Sequence, residues 1–372
     1  MRHIVTPAES ASVRPAQSPS AFSPERRRLA GAMGAAALAY VSAWSWLAPL
    51  PAHAAGAAFT ARRMLMGTWV DVVVADGTQE GVATAVSTAF DAMARLAGTM
   101  SRHDPASSIS TLNRAAGSAV EMPAEVLRVL AAAKDISART EGRFDIAIGR
   151  LTHGPGGVEE GRVPDDALVR HALQRIRAAP LVVDAARRTA RIDNPLVQVD
   201  LGGVAKLPIL EAGLAVLSGL GIHGAMINGG GDVLASARRD GRPWRIGLRD
   251  PLHPETLLAV LPLHAGVVAS SGDYERYVMH EGRRYHHVID PGTGRPSRGV
   301  HGVSLVAESV QRVNGLGTAV MVAGPRHGTV LLARCGVSEA LMVGTDGRTW
   351  ISPALARRLL PPPGHERIRG LA

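Results

Sequence analysis

Four short segments of this chain hold residue types whose spacing suits chemistry. In Val199-Asp200-Leu-Gly-Gly-Val-Ala-Lys206, a carboxylate, a glycine pair and an ammonium lie between an expected strand and an expected helix. Backbone N–H groups and one cation could therefore converge on phosphate. Lys206 is one of only two lysines among 41 basic residues, the other being Lys134. In a chain that uses arginine almost everywhere, a lysine in a Gly-Gly turn suggests that a compact point charge is required. A helix start with a solvated lysine explains this segment equally well. Ile227-Asn-Gly-Gly-Gly-Asp232 permits positive φ and close backbone approach, although a glycine run alone is usually just a turn. Ala269-Ser-Ser-Gly-Asp-Tyr-Glu-Arg276, followed by His286-His-Val-Ile-Asp-Pro-Gly-Thr-Gly-Arg295, offers an imidazole beside a tight Asp-Pro turn as an acid or base. Taken alone, either histidine is more simply a satisfied imidazole. In Val313-Asn-Gly-Leu-Gly-Thr318, an amide and a hydroxyl four residues apart could share a helix face.

The surrounding pattern is mixed. Residues 66–74 alternate and then run β-branched, which predicts a strand. Val82, Val86, Phe90, Met93 and Leu96 recur at helical spacing between Gly81 and Gly98. A second helix is expected from Pro123, a residue suited to a first turn, to a stop at Gly142. Residues 152–166 read as a loop, 181–183 and 197–201 as short strands, 208–217 as a helix and 224–227 as a strand. The last third predicts strands at 244–248, 257–263, 286–289, 303–306 and 340–343, with a helix over 313–322. Strands and helices without a regular βαβ alternation, a fixed repeat or a long linker indicate one α+β domain over residues 55–372.

Residues 1–54 read as an export segment. Arg26, Arg27 and Arg28 precede an apolar stretch from Leu29 to Leu50, and Ala52-His53-Ala54 supplies a small-residue cleavage site. The arginines directly before the apolar stretch lean towards the twin-arginine route and a periplasmic destination. An uncleaved membrane anchor is the alternative, because the apolar stretch is long enough to span a bilayer. With one cysteine, Cys335, the chain has no disulfide framework and no cysteine-based metal cluster. The formal charge is +9, three units of which belong to residues 1–54. The remaining arginines are dispersed singly or in pairs, and the chain has only four Phe and four Tyr. This lacks the aromatic interleaving of a nucleic-acid surface, so no nucleic-acid partner is expected.

Taken together, the segments resemble the ApbE family of flavin transferases, the FAD:protein FMN transferases. The resemblance runs from about Met66 to Pro353. It is carried by Met66-Gly-Thr68, the stretch from Met100-Ser-Arg-His103 to Leu-Asn113, and Gly142-Arg-Phe-Asp-Ile-Ala-Ile-Gly149. It continues through Asp200-Leu-Gly-Gly-Val-Ala-Lys206, Asn228-Gly-Gly-Gly-Asp232, Pro243–Pro251, Ser271-Gly-Asp-Tyr274 and His287-Val-Ile-Asp-Pro-Gly-Thr-Gly-Arg-Pro296. The ordered set of eight decides it, not any one piece.

The resemblance implies an α+β fold of two interleaved lobes with an FAD cleft between them. It also implies magnesium at the FAD pyrophosphate, and transfer of FMN onto a Thr or Ser hydroxyl of an acceptor flavoprotein with release of AMP. A membrane respiratory subunit, such as that of nitrous-oxide respiration, is one kind of acceptor it implies. By the same resemblance, Met66, His103, Arg143, Phe144, Asp145, Asp200, Lys206 and Ile289 fall on FAD-contacting positions. His287 falls on the histidine that assists transfer, and Gly203, Asn314, Gly317 and Thr318 fall on metal positions. The chain departs from the family pattern in places. His103 replaces a large aromatic, Leu207-Pro208 follows Lys206 where the family has Gly-Tyr, Glu211 stands at the next acidic position, and Asn314 replaces an aspartate. An asparagine keeps the oxygen donor without its charge. Two other readings therefore stand beside the transferase: a non-catalytic FAD-binding or flavin-delivery protein, and an FAD pyrophosphatase with water as acceptor.

Overall fold

The computed structural model describes residues 58–368 apart from 116, 154–162, 164, 179–180, 195–196, 275–276, 281–282 and 366–367. The proposed export segment, residues 1–54, lies outside the described residues. Eight strands form the main sheet: β1 (Phe59–Leu65), β2 (Thr68–Val74), β3 (Ala225–Gly229), β4 (Asp232–Ala235), β5 (Gly266–Gly272), β6 (Val300–Ala307), β7 (Glu339–Gly344) and β8 (Thr349–Ile351). Their order in the sheet is their order in the chain, and each neighbouring pair is antiparallel. The helices, in chain order, are α1 (Val82–Met100), α2 (Ser108–Arg114), α3 (Ala124–Arg139), α4 (Gly149–His153), α5 (Asp166–Ala178), α6 (Lys206–Gly219), α7 (Val310–Val313), α8 (Leu316–Arg334) and α9 (Pro353–Ala356).

Both faces of the sheet are buried along its central strands, which is why strands such as β4 and β7 read as near-continuous apolar runs. Val70, Val72, Val74, Ile227, Val267, Leu305 and Met342 face a core shared with Phe90 and Met93 of α1, Leu130 of α3, Leu210 of α6 and Val320 of α8. The intervening residues Met226, Val268, Val306, Leu341 and Val343 face a second core with Trp244, Ile246 and Leu261. That side is covered by the hairpin of strands Trp244–Arg249 and Leu257–Leu263. A smaller cluster of Leu151, Val169, Ala172, Tyr285 and Ile289 joins α4 and α5 to the loop after the hairpin of strands Tyr277–His280 and Arg283–His286. Burying about 25 cal/mol of stabilisation per Å² of apolar surface on two sides makes slippage of this register costly.

Several expected elements shift. Met66 and Gly67 are not strand residues. They form the β1–β2 turn with φ 54° and 71°, the two positive values of a tight hairpin turn whose twist matches its strands. Residues 197–201 do not form a strand; Gln198 alone makes a parallel bridge to Ile148. The expected strand at 286–289 ends at His286. The helix expected over 313–322 is broken, because Asn314 has an extended ψ of 123° and Gly315 a φ of 74°. Asn314 and Thr318 therefore do not share one helix face. Within α8, Gly324 is non-helical ahead of Pro325, which divides that helix in two.

In an antiparallel meander the β1–β2 turn, the β3–β4 turn and the exit of β5 all lie at one end of the sheet. Their contacts agree. A Cβ on Gly230 would lie 2.7 Å from Thr68 Oγ1, and one on Gly231 would lie 3.9 Å from Ser270 Cβ. One distant joint aligns α4 with this end. Gly149 donates its N–H to the Gln198 carbonyl at 2.9 Å, and an added Cβ there would lie 2.7 Å from that same oxygen. Gly149→Ala is expected to destabilise the protein by about 1–3 kcal/mol. Gly98→Ala, in open space on α1, should stabilise it by about 0.5–1 kcal/mol. Denaturant midpoints at constant m-value check both signs.

Candidate functional site

Three aspartates order the site, each held by different partners. Asp200 Oδ1 accepts from the Gly202 N–H at 2.9 Å, and Oδ2 accepts from the Thr152 hydroxyl of α4 at 2.9 Å. Arg102 Nε stands 3.7 Å from the same carboxylate, which fastens the segment before α2 to the turn before α6. Asp232 is buried at the start of β4. It accepts the Ser270 N–H at 2.8 Å and pairs with Lys206 Nζ at 3.1 Å. Lys206 is therefore the first residue of α6 and is tied to the sheet end, while its side chain stays 32% exposed. Asn228 Oδ1 closes the glycine turn by accepting from the Gly231 N–H at 3.0 Å. Among the described residues Asp145 accepts one hydrogen bond, from the Ala147 N–H at 2.8 Å. Burial pushes its carboxyl above the usual range, against the lowering effect of that bond.

The phenyl ring of Phe144 is the surface on which two glycine segments meet. A Cβ on Gly203 would lie 2.9 Å from its Cε2, and one on Gly315 would lie 3.5 Å from its Cε1. Across this contact the buried Asn314 donates Nδ2–H to the Val204 carbonyl at 2.9 Å. The Thr318 hydroxyl lies 3.8 Å from the same notional Gly203 Cβ, and Ser271 Oγ lies 2.6 Å from a Cβ placed on Gly317. The turn before α6, the start of α8 and the end of β5 are thus one locality.

The structure brings together Phe144, Asp200, Gly203, Lys206, Asn314, Gly317 and Thr318 through the chain of contacts above. Arg143 and Asp145 flank Phe144 in sequence and are half-buried. Met66 reaches the same sheet end through the turn that precedes Thr68. Three expected residues stand apart from this chain of contacts. His103 is exposed, with its N–H on Ser101 Oγ at 3.2 Å. Ile289 is buried in the small α4–α5 cluster. His287 is half-buried in the loop between buried His286 and Val288. That loop is fixed by Asp290, whose carboxylate accepts from the Gly292 N–H at 2.8 Å and the Thr293 hydroxyl at 3.0 Å. Leu151 of the Ile289 cluster is the neighbour of Thr152, so the loop and Asp200 share α4 as a common support.

Sequence reasoning did not single out Arg102, Thr152, Asp232 or Ser271 as site residues. Arg102, Asp232 and Ser271 lie within the motifs that carry the resemblance, whereas nothing local in sequence marks Thr152. As for a metal, the candidate donors are backbone carbonyls of Gly203 and Gly317, the Asn314 amide oxygen and the Thr318 hydroxyl. All are hard oxygens, which suits magnesium, and all are neutral, so anionic ligands must come from bound phosphate. Among the described residues no group of three His, Cys, Asp or Glu side chains is placed to hold a metal.

Comparison with known proteins follows the same lines. The model of the ApbE family matches residues 66–342. A Rhodobacter capsulatus protein named FAD:protein FMN transferase is 34% identical over 249 residues, covering 66% of this chain and 47% of the relative. The chain thus spans about half the length of that relative. A Vibrio cholerae protein of the same name is 31% identical over 227 residues, covering 60% of this chain and 68% of the relative. The crystal structure of the ApbE protein of Thermotoga maritima superposes with a TM-score of 0.73 at 31% identity, covering 81% of this chain and 99% of that one.

The raised Asp145 carboxyl gives a signed expectation. Between its unfolded and folded values the native state holds the proton that the unfolded state has lost, so stability falls as pH rises through this window. The penalty is complete above the folded value and absent below the unfolded one. Asp145→Asn keeps the oxygen that accepts from Ala147 and removes the charge. It should raise Tm by about 1–3 °C at pH 7, with the gain vanishing below the ordinary carboxylate range, as thermal scans at the two pH values will read.

Proposed function

The chain belongs to the ApbE family, and from that membership and the geometry of its site we propose that it is an exported FAD:protein FMN transferase. It moves FMN from FAD onto a Thr or Ser hydroxyl of an acceptor flavoprotein and releases AMP. The observation that carries the reading is the convergence of the Asp200–Lys206 turn and the Asn314–Thr318 segment on Phe144 at one end of the sheet. Twin-arginine export to the periplasm follows from residues 1–54 in sequence alone. No helix among the described residues is long and apolar enough to cross a membrane.

The transfer balances as a displacement at phosphorus. The acceptor oxygen bonds to the phosphorus of the FMN moiety, the bond from that phosphorus to the bridging oxygen breaks, and AMP departs with the bridge. His287 takes the hydroxyl proton. Lys206, fixed by Asp232 at the first turn of α6, adds its charge to the N–H groups of a helix start, which favours a phosphate there. Asp200 keeps the preceding Gly202–Gly203 turn in shape by accepting the Gly202 N–H. Arg102 supplies a second cation beside it. Met66, His103, Arg143, Phe144, Asp145 and Ile289 are the further residues that would contact FAD. Gly203, Asn314, Gly317 and Thr318 would hold a magnesium ion, which would supply neutralisation of the pyrophosphate charge.

The test uses residues 55–372 with FAD, Mg²⁺ and an acceptor domain carrying the target threonine. An FMN mass adduct with stoichiometric AMP is expected, and its absence at every magnesium level would sink the proposal. FMN and AMP formed without an acceptor would indicate the pyrophosphatase instead. His287→Ala should lower kcat by about 10²–10⁴-fold while FAD affinity, read by flavin fluorescence, is retained.

A further inference from the structure

We infer that this protein has no standing affinity for a divalent cation and takes the ion only together with FAD, through a cluster of uncharged oxygens in which Ser271 joins Asn314 and Thr318. The inference rests on the transferase reading of the same site and deepens it.

Asn314 is 8% exposed, and one arm of its amide is committed: Nδ2 donates to the Val204 carbonyl at 2.9 Å. A carboxylate at this position would set a second acceptor against that carbonyl, so the neutral amide is built into the packing of the turn. Its Oδ1 receives no hydrogen bond from any described residue, and neither does the Thr318 or the Ser271 hydroxyl. Thr318 Oγ1 is 3.8 Å from a notional Cβ on Gly203, and Ser271 Oγ is 2.6 Å from one on Gly317. Three uncommitted neutral oxygens therefore gather where Gly203 and Gly317 bring backbone close. Side chains on those glycines would fill the space.

The neighbouring carboxylates are engaged elsewhere. Asp200 holds Gly202, Thr152 and Arg102, and Asp232 holds Lys206 and Ser270. Glu211 of α6 is held above its ordinary range chiefly by burial, which disfavours the charged form. Magnesium sheds water reluctantly and is usually held by one or two carboxylates plus substrate phosphates. Asp145, beside Phe144, accepts only the Ala147 N–H, and burial disfavours its charged form, so the pyrophosphate brings most of the charge. By linkage, FAD and the ion then tighten each other by one common factor.

Manganese, whose free signal is read by electron paramagnetic resonance, tests this on FAD-free wild-type protein, with FAD alone as the control. The FAD-free protein should leave the free Mn²⁺ signal intact at millimolar metal. With FAD present, binding should tighten about tenfold or more over FAD alone, and Mg²⁺ should tighten FAD, read by flavin fluorescence, by the same factor. Ser271→Ala should reduce that factor by about fivefold, and Asn314→Asp should give the FAD-free protein measurable Mn²⁺ binding. Stoichiometric Mn²⁺ uptake by the FAD-free wild type, or FAD affinity indifferent to metal, overturns the inference and leaves the transferase reading intact. Full coupling in Ser271→Ala removes Ser271 from the cluster. Failure of FAD to bind at any metal concentration overturns both.

Discussion

The site depends on how closely two backbone segments approach one aromatic ring. Gly203 and Gly315 come from turns more than a hundred residues apart and both face Phe144; a Cβ on Gly203 would crowd the ring at 2.9 Å, and one on Gly315 would press Val204 at 3.0 Å. The approach is held by a hydrogen bond from the Asn314 amide to the Val204 carbonyl. Phosphate recognition by backbone N–H groups needs this proximity, since a peptide donor cannot extend itself as a lysine can. Phe144 supplies the apolar floor, the glycines the access, and Asn314 the restraint that keeps the two turns from parting.

The sheet makes the approach reproducible. The buried faces of its central strands fix their register, and antiparallel pairing brings the β1–β2 and β3–β4 turns together at one end. The polar ties of Asp200 and Asp232 act on top of this. Half-buried ion pairs add little net stability, because desolvation offsets their attraction. Their value is positional: Asp232 sets where Lys206 and β5 stand, and Asp200 sets the turn that precedes Lys206. The raised carboxyl of Asp145 shows the same bias, a cost in stability accepted at the site.

Much of this was legible in sequence, for a physical reason in each case. The helical spacing of Val82, Val86, Phe90, Met93 and Leu96 marks α1 because one stripe of it is buried. Asp200 to Lys206 was readable because a glycine pair beside a rare lysine is itself local chemistry. What escaped depended on partners distant in the chain. Thr152 matters only because the Ile148–Gln198 bridge delivers it to Asp200. Ser271 matters only because Gly317 lies against it. The strand misread at residues 197–201 has the apolar alternation of a strand but finds a partner only at Gln198. Met66-Gly67 read as strand because nothing in single-residue preference foretells a positive φ at methionine.

The agreement between chain order and strand order has a consequence for synthesis. Strands β3 to β8 are consecutive, and each finds its partner in the one before it. The β1–β2 hairpin leaves the ribosome first, yet its sheet partner β3 begins only at Ala225, about 150 residues later. Until then the apolar faces of Val70, Val72 and Val74 have only α1 and the nearby helices to cover them. The β1–β2 hairpin thus waits longer for its next sheet partner than any later strand of the sheet. A nascent chain halted before residue 225 presents a strand edge that other unfinished chains can join.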